Sequence, residues 1–406
     1  MKKLLLSFLG TGDYKEVRYR LHENVGSPTS LSAAAIGEFF PDYEPVILVT
    51  KEAYAKNWNL TLDSFRKLKL EEPRMVEIPS GKSEEEIWRI VEKLVGLFVE
   101  DDSDALLTSV VLDITHGFRA QPLLIFATIS LLEEMQYAHA ENVLYGAYDA
   151  KDEYGIAPVF DLRPLLDLSA WSRALGDLRR YGYAAPLRHL LRETSRKAHT
   201  GKEKYKPKGL VGLGDTLEQV TSALAAIRPI QAHQGAKRLP DKIEIAKEDL
   251  KKIPELRPLS TFFTTSFKRY ENLGIGDSLF SKEGLKALAR MIELYMELEQ
   301  YPQAITLARE ALVTLRSLDL KTDPLEASAR KAAESEINAA ATVLRLKGKP
   351  ASADIISYAR LWNDLADLRN DVDHAGFRSG PRTAEAVKKQ AGKLCGEVIT
   401  WLNKRD

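Results

Sequence analysis

Short, continuous apolar runs alternate with helical patterns over residues 1–160 of the chain. Runs of Val, Ile and Leu without polar alternation are typical of parallel strands that are covered on both faces. The predicted strands are Lys3–Leu9, Pro45–Val49, Met75–Ile78, Leu106–Ile114, Val143–Tyr148 and Pro158–Asp161. The predicted helices between them are Ser32–Phe40, Glu52–Lys67, Glu84–Val99 and Gln121–Glu134. This repeated order of strand and helix predicts a doubly wound α/β domain.

The strand signals end after Asp161, and the pattern of the remaining residues predicts helices separated by Pro and Gly. Helices are expected near 163–182, 185–199, 209–227, 243–252, 281–299, 302–317, 324–346, 352–369 and 383–403. The predicted fold is therefore an α/β domain followed by an all-α region. A length of 406 residues is typical of two or three domains.

The composition is that of a soluble globular protein, with 44% hydrophobic and 29% charged residues. The 58 basic residues balance 58 acidic residues, so the formal net charge is zero. Proteins that hold nucleic acid constitutively through phosphate contacts are usually basic overall. Any contact with nucleic acid is therefore expected to be local, or directed at short single strands.

Cysteine and histidine usage argues against a metal centre. Cys395 is the only cysteine, which excludes an intramolecular disulfide and every multi-cysteine zinc or iron–sulfur site. The seven histidines are scattered without paired ligand spacing, so no metal site is predicted. No stretch approaches the ~20 apolar residues that a membrane helix needs, and the apolar start of the chain is interpreted as a buried strand. We expect a cytoplasmic protein with no membrane partner.

The first candidate ligand loop is Gly10-Thr11-Gly12-Asp13-Tyr14, directly after the first predicted strand. Open parallel sheets bind ligands outside the carboxyl ends of their strands, near the point where the strand order reverses. Two glycines allow the backbone to approach a phosphate or ribose closely, and Thr11 adds a hydroxyl. The full dinucleotide fingerprint is absent, so a plain tight turn explains this loop equally well on its own.

The second candidate loop runs from Asp113 to Arg119 with the sequence Asp-Ile-Thr-His-Gly-Phe-Arg. An acid, a hydroxyl, an imidazole and a guanidinium thus follow a buried strand, and a helix starts directly behind them. The positive end of that helix favours an anionic ligand in the same crevice. The alternative is that His116 only holds a turn through its hydrogen bonds. The two loops together predict a nucleotide-like, anionic ligand.

A third cluster of polar residues lies near the end of the chain, at Arg369-Asn-Asp-Val-Asp-His374. An ideal helix turns ~100° per residue, so side chains five positions apart point about 140° away from each other. Asn370 and His374, four positions apart, share a face. Arg369 and His374 can converge only if the helix is broken or if a second copy of the chain takes part.

Arg369 and His374 suit the cleavage of RNA through its own 2′-hydroxyl. A histidine of near-neutral pKa transfers a proton, and a guanidinium stabilises the charge that develops on the phosphate. No metal is needed for this reaction. The alternative is an exposed helix end on which Arg369 pairs with a nearby Asp.

The Asp113–Arg119 loop lies in the predicted α/β domain, and the Arg369–His374 run follows it in the predicted helical region. The chain thereby resembles the CRISPR-associated accessory ribonucleases of type III systems. These proteins join an N-terminal CARF domain, a Rossmann-like sensor of cyclic oligoadenylate, to a C-terminal HEPN domain. The chain is similar to the branch named for the motif Asp-x-Thr-His-Gly, which stands here at Asp113–Gly117. The family's HEPN signature, an Arg followed by four to six residues and a His, matches Arg369 and His374.

The resemblance implies a CARF domain over residues 1–165, a helical linker over 166–280 and a HEPN ribonuclease domain over 281–406. It implies a homodimer, or a higher even-numbered oligomer, with the ligand across the two-fold axis of paired CARF domains. The activator expected is a cyclic oligoadenylate, with cyclic tetra-adenylate preferred over the six-membered ring. The implied ligand contacts are Gly10, Thr11, Gly12, Asp13, Asp113, Thr115, His116, Gly117 and Arg119.

The resemblance also implies an endoribonuclease that cleaves single-stranded RNA by 2′-hydroxyl attack and leaves a 2′,3′-cyclic phosphate, with no cofactor. Arg369 and His374 of two subunits would form one cleft, in which Asn370 orients His374 or the phosphate. The main alternative is a cyclic-nucleotide sensor whose helical region docks a partner. A transcription factor is disfavoured because no helix-turn-helix with a basic recognition helix is visible near the C-terminus. An oxidoreductase is disfavoured by the missing dinucleotide fingerprint.

Overall fold

The computed structural model describes residues 2–99, 107–117, 120–201, 204–347 and 353–405, apart from the side chains at 264, 353 and 354. The chain divides into two compact units, Met1–Ala170 and Trp171–Asp406. The boundary falls inside a helix, α5 (Arg163–Tyr181). Among the described residues, no helix is both long enough and apolar enough to cross a membrane.

In the described residues of the first unit, eight strands form one sheet with the order β3-β2-β8-β7-β6-β1-β4-β5. Its strands are β1 (Lys3–Leu9), β2 (Arg18–Leu21), β3 (Asn24–Val25), β4 (Glu44–Val49), β5 (Arg74–Glu77), β6 (Thr108–Asp113), β7 (Ala138–Gly146) and β8 (Ile156–Asp161). The central strand β1 pairs in parallel with β4 on one side and with β6 on the other. Its residues are almost fully buried, as a strand covered on both faces requires.

Four helices connect the parallel strands: α1 (Ser32–Phe39), α2 (Lys51–Lys67), α3 (Glu84–Val95) and α4 (Gln121–Glu134). The N-terminus of α2 is capped by Thr50, whose hydroxyl accepts a hydrogen bond from the backbone N–H of Ala53. The N-terminus of α3 is capped by Ser83 in the same way, through the N–H of Glu86. These side chains satisfy helix N–H groups that have no partner within the helix.

The order of the strands reverses at β1. After β1 the chain forms β2 and β3 at one edge of the sheet, and α1 then leads to β4 and β5 on the other side of β1. The chain next returns to β6 and β7, on the same side of β1 as β2 and β3. The loops that follow β1 and β6 therefore leave the same edge of the sheet at adjacent positions. In doubly wound folds this switch point is the usual place for a ligand.

The α/β sheet followed by an all-helical region is confirmed, but the sheet is mixed and not purely parallel. The pairs β2–β3 and β7–β8 are antiparallel. The prediction missed β2 and β3, which have four and two residues and carry charged or polar side chains. It also began β7 five residues too late, because polar His139 and Glu141 interrupt the apolar run there.

Helices make up the regular structure of the described residues after β8. They are α5, α6 (Ala185–Thr200), α7 (Leu210–Ala225), α8 (Pro229–Ala236), α9 (Leu239–Lys252), α10 (Ser260–Glu271), α11 (Lys282–Glu297), α12 (Tyr301–Asp319), α13 (Ala327–Arg345), α14 (Ala353–Asp373) and α15 (Ala384–Lys404), with two short 3₁₀ turns beside α10. The sequence did not predict α8, which has eight residues, or α10, which is rich in Thr and Phe. One apolar core extends from Trp171 to Leu402, and the predicted division at residue 280 stays a prediction.

Candidate functional site

A cavity of about 580 Å³ lies at the carboxyl ends of the central strands of the first unit. It is formed by the loops that follow β1, β4, β5 and β6 and by the first residues of α2 and α4. The lining residues are Leu9, Gly10, Thr11, Gly12, Tyr14, Thr50, Glu52, Ala53, Ser80, Lys82, Thr115, His116, Gly117 and Gln121. The two loops that the sequence predicts to bind a ligand thus lie in one wall.

The first loop is held in place by the second turn of α2. The Asn57 amide donates hydrogen bonds to the backbone carbonyls of Gly10 (2.9 Å) and Gly12 (3.0 Å). Lys56 donates to the carbonyl of Thr11 and forms an ion pair with the exposed Asp13. The loop carbonyls are therefore engaged by the protein, and Asp13, a predicted ligand contact, is not among the cavity-lining residues.

Gly10 brings the two loops together. A Cβ atom at Gly10 would lie 2.7 Å from the backbone carbonyl oxygen of His116, which is closer than real Cβ contacts. Because that neighbour is backbone, it cannot move aside like the end of a flexible side chain. A side chain at position 10 would therefore push the loops apart, and the glycine is required by packing.

Asp113 lies behind the cavity wall and is fully buried. Its carboxylate accepts hydrogen bonds from the hydroxyls of Ser7 (2.6 Å) and Ser32 (2.7 Å) and from the backbone N–H of Thr115 (3.0 Å). It also accepts from the Thr115 hydroxyl at 2.5 Å. Such a saturated carboxylate is an organising group. Asp113, a predicted ligand contact, is not among the cavity-lining residues, and its hydrogen bonds hold the loop after β6 in position.

Thr115 joins the loop after β6 to the end of β7. Its hydroxyl donates to Asp113 and accepts a hydrogen bond from the backbone N–H of Gly146 at 2.8 Å. Thr115 nonetheless lines the cavity. Thr115 thus stabilises the loop through these two hydrogen bonds. A contact with a ligand would be a second role of this residue.

His116 and Tyr14 pack against each other at the cavity wall, with ring centroids 4.4 Å apart and ring planes inclined by 50°. The Tyr14 hydroxyl accepts a hydrogen bond from the N–H of Gly10 at 2.8 Å. Burial raises the pKa of Tyr14 to about 12, so the hydroxyl keeps its proton. The Nε2 atom of His116 accepts a hydrogen bond from the N–H of Ser32, the first residue of α1, at 3.3 Å.

Several lining residues were missed by the sequence analysis. Thr50 and Glu52 follow β4, and Ser80 and Lys82 follow β5, so the rule that predicted the first loop applies to them as well. These two loops carry neither a glycine pair nor a histidine, so their sequences gave no comparable signal. Arg119, the remaining predicted contact, lies outside the described residues.

The Arg369–His374 run lies at the end of α14, in the helical unit. The helix is continuous through Asp373, and the N–H of His374 still donates a hydrogen bond to the carbonyl of Asn370 at 3.1 Å. No break therefore lies between Arg369 and Asp373, and His374 is the first residue after the helix, at the start of the turn. On such a helix the two side chains point about 140° apart.

Within its own subunit, Arg369 is already engaged. Its Nε atom lies 3.2 Å from a carboxylate oxygen of Asp373, and its terminal nitrogen donates to the Asn370 side chain at 3.1 Å. Asn370 and His374 are exposed. The structure therefore gathers the three predicted residues at one helix end, without bringing Arg369 and His374 onto one face.

The turn after α14 is fixed by a neighbouring ionic cluster. Arg382 and Arg378 pair with Asp367, and both also approach Asp371, which is buried. The Arg382 guanidinium holds the pKa of Asp367 below its usual range. This cluster gives the helix end a defined position, and its residues were not predicted from the sequence.

Part of the chain is similar to a known protein. Over 115 residues, it is 31% identical to CRISPR-associated protein MJ1674 of Methanocaldococcus jannaschii. The aligned stretch covers 28% of this chain and 18% of that protein, so the chain matches less than a fifth of the relative's length. No family model matches the chain.

Metal ligands are not grouped in the part of the chain that the structure describes. No three His, Cys, Asp or Glu side chains there are placed to hold a metal ion together. Cys395, the single cysteine, is buried in the core of the helical unit, where burial raises the pKa of its thiol to about 12.

Proposed function

We propose that this chain is a cyclic-oligoadenylate-activated, metal-independent endoribonuclease that degrades single-stranded RNA in type III CRISPR defence. In this proposal the first unit is a CARF sensor, and the end of α14 belongs to a HEPN nuclease site. The similarity to a CRISPR-associated protein supports a role in CRISPR defence. The proposal for each site rests on its own geometry.

The observation that carries the proposal is the cavity at the switch point of the sheet. The loops after β1 and β6 form one wall, and the N-terminal ends of α2 and α4 contribute Thr50 and Gln121. Helix N-termini attract anions through their partial positive charge. Lys82 adds a cation, whose Nζ atom lies 3.8 Å from the carboxylate of Glu52 in the same lining. Thr11 and Thr115 add polar backbone and side-chain groups. This combination suits the phosphates and riboses of a nucleotide ligand.

An exposed apolar face beside the cavity supports a homodimer. Along α4, which begins at the cavity residue Gln121, the side chains of Leu123, Leu131 and Met135 are between 52% and 73% exposed. Leu131 and Met135, four positions apart, share one face, and Leu123 lies two turns before Leu131, about 80° away around the helix axis. Clustered apolar exposure is typical of an interaction surface. We propose that a second copy covers this face, so that two cavities adjoin across a two-fold axis.

For the nuclease, we propose that Arg369 and His374 from two subunits form one cleft. His374 would transfer the proton of the RNA 2′-hydroxyl, and Arg369 would stabilise the charge on the phosphate. The 2′-oxygen then attacks the phosphorus, the 5′-oxygen leaves with a proton, and a 2′,3′-cyclic phosphate remains. Asn370, next to Arg369, would orient His374 or the phosphate.

A panel of cyclic oligoadenylates tests this proposal, with binding and RNA cleavage measured for each ring size. We expect cyclic tetra-adenylate to bind and to increase cleavage of single-stranded RNA. Full cleavage without a ligand, or no binding of any ring, would contradict the proposal. Linear tetra-adenylate is the matched control, because it has the same bases without the closed ring.

One observation favours the alternative of a sensor that docks a partner without catalysis. Arg369 is neutralised by Asp373 of its own helix, as expected for a surface ion pair. If the alternative holds, the chain binds a cyclic oligoadenylate but ligand-bound His374→Ala and wild-type protein show the same RNA cleavage.

A further inference from the structure

The two ring nitrogens of His116 have different surroundings. Nε2 accepts a hydrogen bond from the backbone N–H of Ser32 at the start of α1. For Nδ1, the described residues provide no hydrogen-bond partner, and His116 lines the cavity. An imidazole nitrogen that accepts a hydrogen bond carries no proton. A neutral His116 must therefore carry its proton on Nδ1.

The surroundings of the ring also favour the neutral form. The first N–H groups of α1 form the positive end of a helix, which disfavours a cation at Nε2. Burial lowers the pKa of His116, while the charge of Asp113 opposes that shift. The other ring in contact, Tyr14, carries a protonated hydroxyl that binds Gly10. Protonation of Nε2 would also turn the Ser32 contact into two opposed N–H groups.

We infer that His116 faces the cavity as a neutral hydrogen-bond donor through Nδ1–H, because its Nε2 lone pair is committed to the N-terminus of α1. It follows that His116 recognises an acceptor atom of the ligand, such as a ribose oxygen or an adenine ring nitrogen. It also follows that His116 has no free lone pair with which to act as a general base on a bound ligand. The statement about the ligand rests on the proposed function, whereas the statement about the tautomer does not.

Ser32 links this donor to the rest of the motif. Its N–H binds His116, and its hydroxyl binds the buried carboxylate of Asp113 at 2.7 Å. Asp113 in turn fixes Thr115, the residue before His116. The carboxylate of Asp113 thus holds the start of α1 in position. The N-terminus of α1 in turn determines which nitrogen of His116 carries the proton. His116 is a specificity-determining residue, and Ser32 and Asp113 are positioning residues.

The direct test is nitrogen NMR of the full-length protein labelled with ¹⁵N-histidine, without ligand, at pH 7.5. Two-bond proton–nitrogen correlations distinguish the two neutral tautomers and the imidazolium, and the signal missing from His116→Gln assigns the ring. We expect the neutral Nδ1–H tautomer. A neutral Nε2–H tautomer or an imidazolium would overturn the inference.

Two substitutions distinguish the contribution of Nδ1 to ligand binding from that of Nε2. His116→Asn places an amide N–H near the position of Nδ1, whereas His116→Gln places an amide oxygen near Nε2 and removes the Nδ1 donor. A net hydrogen bond corresponds to roughly a tenfold change in affinity. We expect His116→Gln to weaken cyclic tetra-adenylate binding about tenfold, and His116→Asn to bind at least threefold more tightly than His116→Gln. The reverse order would overturn the inference.

Failure of this inference and failure of the proposed function give different results. If the wild-type protein binds no cyclic oligoadenylate, the proposed function is wrong, and the NMR spectrum still decides the state of His116. If cyclic tetra-adenylate binds but the ring carries its proton on Nε2, the function stands and the inference fails. Thermal unfolding of both variants shows whether a loss of binding reflects a loss of fold.

Discussion

The cavity around His116 and the helix end around His374 use the same kinds of side chain in opposite ways. At the cavity, Asp113 is buried and saturated with hydrogen bonds, and His116 is held between Tyr14 and the N-terminus of α1. At the helix end, His374 is exposed and Asp373 pairs with Arg369 across one helical turn. Both regions are held by contacts within one chain, but among the described residues the side chain of His116 has such contacts and that of His374 has none.

This difference indicates what each region needs in order to act. Preorganised donors bind a ligand without a further cost of ordering them. Exposed catalytic groups act in water, where electrostatic stabilisation is weak, until a partner or a substrate excludes the solvent. We therefore expect the wall of the cavity to be preformed in one subunit, whereas the helix end needs assembly with a second subunit before it acts.

The largest expected effect belongs to His374. His374→Ala should reduce ligand-stimulated RNA cleavage by about 10²–10⁴-fold, because general acid–base catalysis contributes that much. The affinity for cyclic tetra-adenylate should not change, since the substitution lies in the helical unit. Cleavage of a fluorescent single-stranded RNA and equilibrium binding of the ligand measure the two quantities. The exposed His189 on α6 provides the control, and His189→Ala should retain wild-type cleavage.

The second effect concerns the exposed face of α4. Leu131→Glu should weaken self-association and lower the ligand-stimulated cleavage rate about tenfold or more, because a charge on an apolar interface is costly to bury. Sedimentation velocity at several protein concentrations measures the association. Met75→Glu, on the edge strand β5, places the same charge on another exposed apolar position and should leave both quantities unchanged. A dimer that tolerates Leu131→Glu would show that α4 is not the interface.

The third effect tests the rigid contact between the two cavity loops. Gly10→Ala should lower the free energy of unfolding by about 1–3 kcal/mol and weaken ligand binding, because its Cβ would overlap the His116 carbonyl. A Cβ at Gly12 has room, since its nearest neighbour lies 3.8 Å away. Gly12→Ala should therefore unfold at the wild-type denaturant midpoint in urea. Equal stability of both variants would mean that the loops do not depend on this close approach.

The smallest effect is the pH dependence of the cavity. The pKa of His116 is lowered in the folded state from its ordinary value of 6.5, so the folded protein binds fewer protons there than the unfolded chain. This contribution to stability is fully present above the ordinary pKa and is lost as the pH falls below it, by at most about 1.4 kcal/mol per pH unit. The difference in unfolding free energy between wild type and His116→Gln should therefore shrink on acidification from roughly pH 7.5 to pH 5.5. A difference that grows on acidification would contradict the neutral assignment.

The sequence predicted the central strands and the two loops well, and for a physical reason. Strands such as β1 and β6 are buried on both faces, so their sequences are continuous apolar runs that end where the polar loops begin. The edge strand β3 and its neighbour β2 are not buried on both faces, and they carry no such signal. The residues that lie at the carboxyl end of a strand can therefore be predicted, provided that the strand itself is buried.

The sequence did not reveal which motif residues line the cavity and which support its wall. Asp113 and Thr115 are two positions apart and equally polar, yet one is fully buried and the other lines the cavity. Their roles depend on Ser7 and Ser32, which come from distant parts of the chain and carry no signal of their own. At the helix end, by contrast, the five-residue spacing alone predicted that Arg369 and His374 do not share a face, and α14 agrees.

In the proposed function, occupancy of the cavity switches on the exposed helix end. The most direct measurement is the rate of single-stranded RNA cleavage by the wild-type protein in EDTA, with and without saturating cyclic tetra-adenylate. We predict cleavage only with the ligand, and products that end in a 2′,3′-cyclic phosphate. An equal rate with and without the ligand, or no cleavage in EDTA under either condition, would contradict the account.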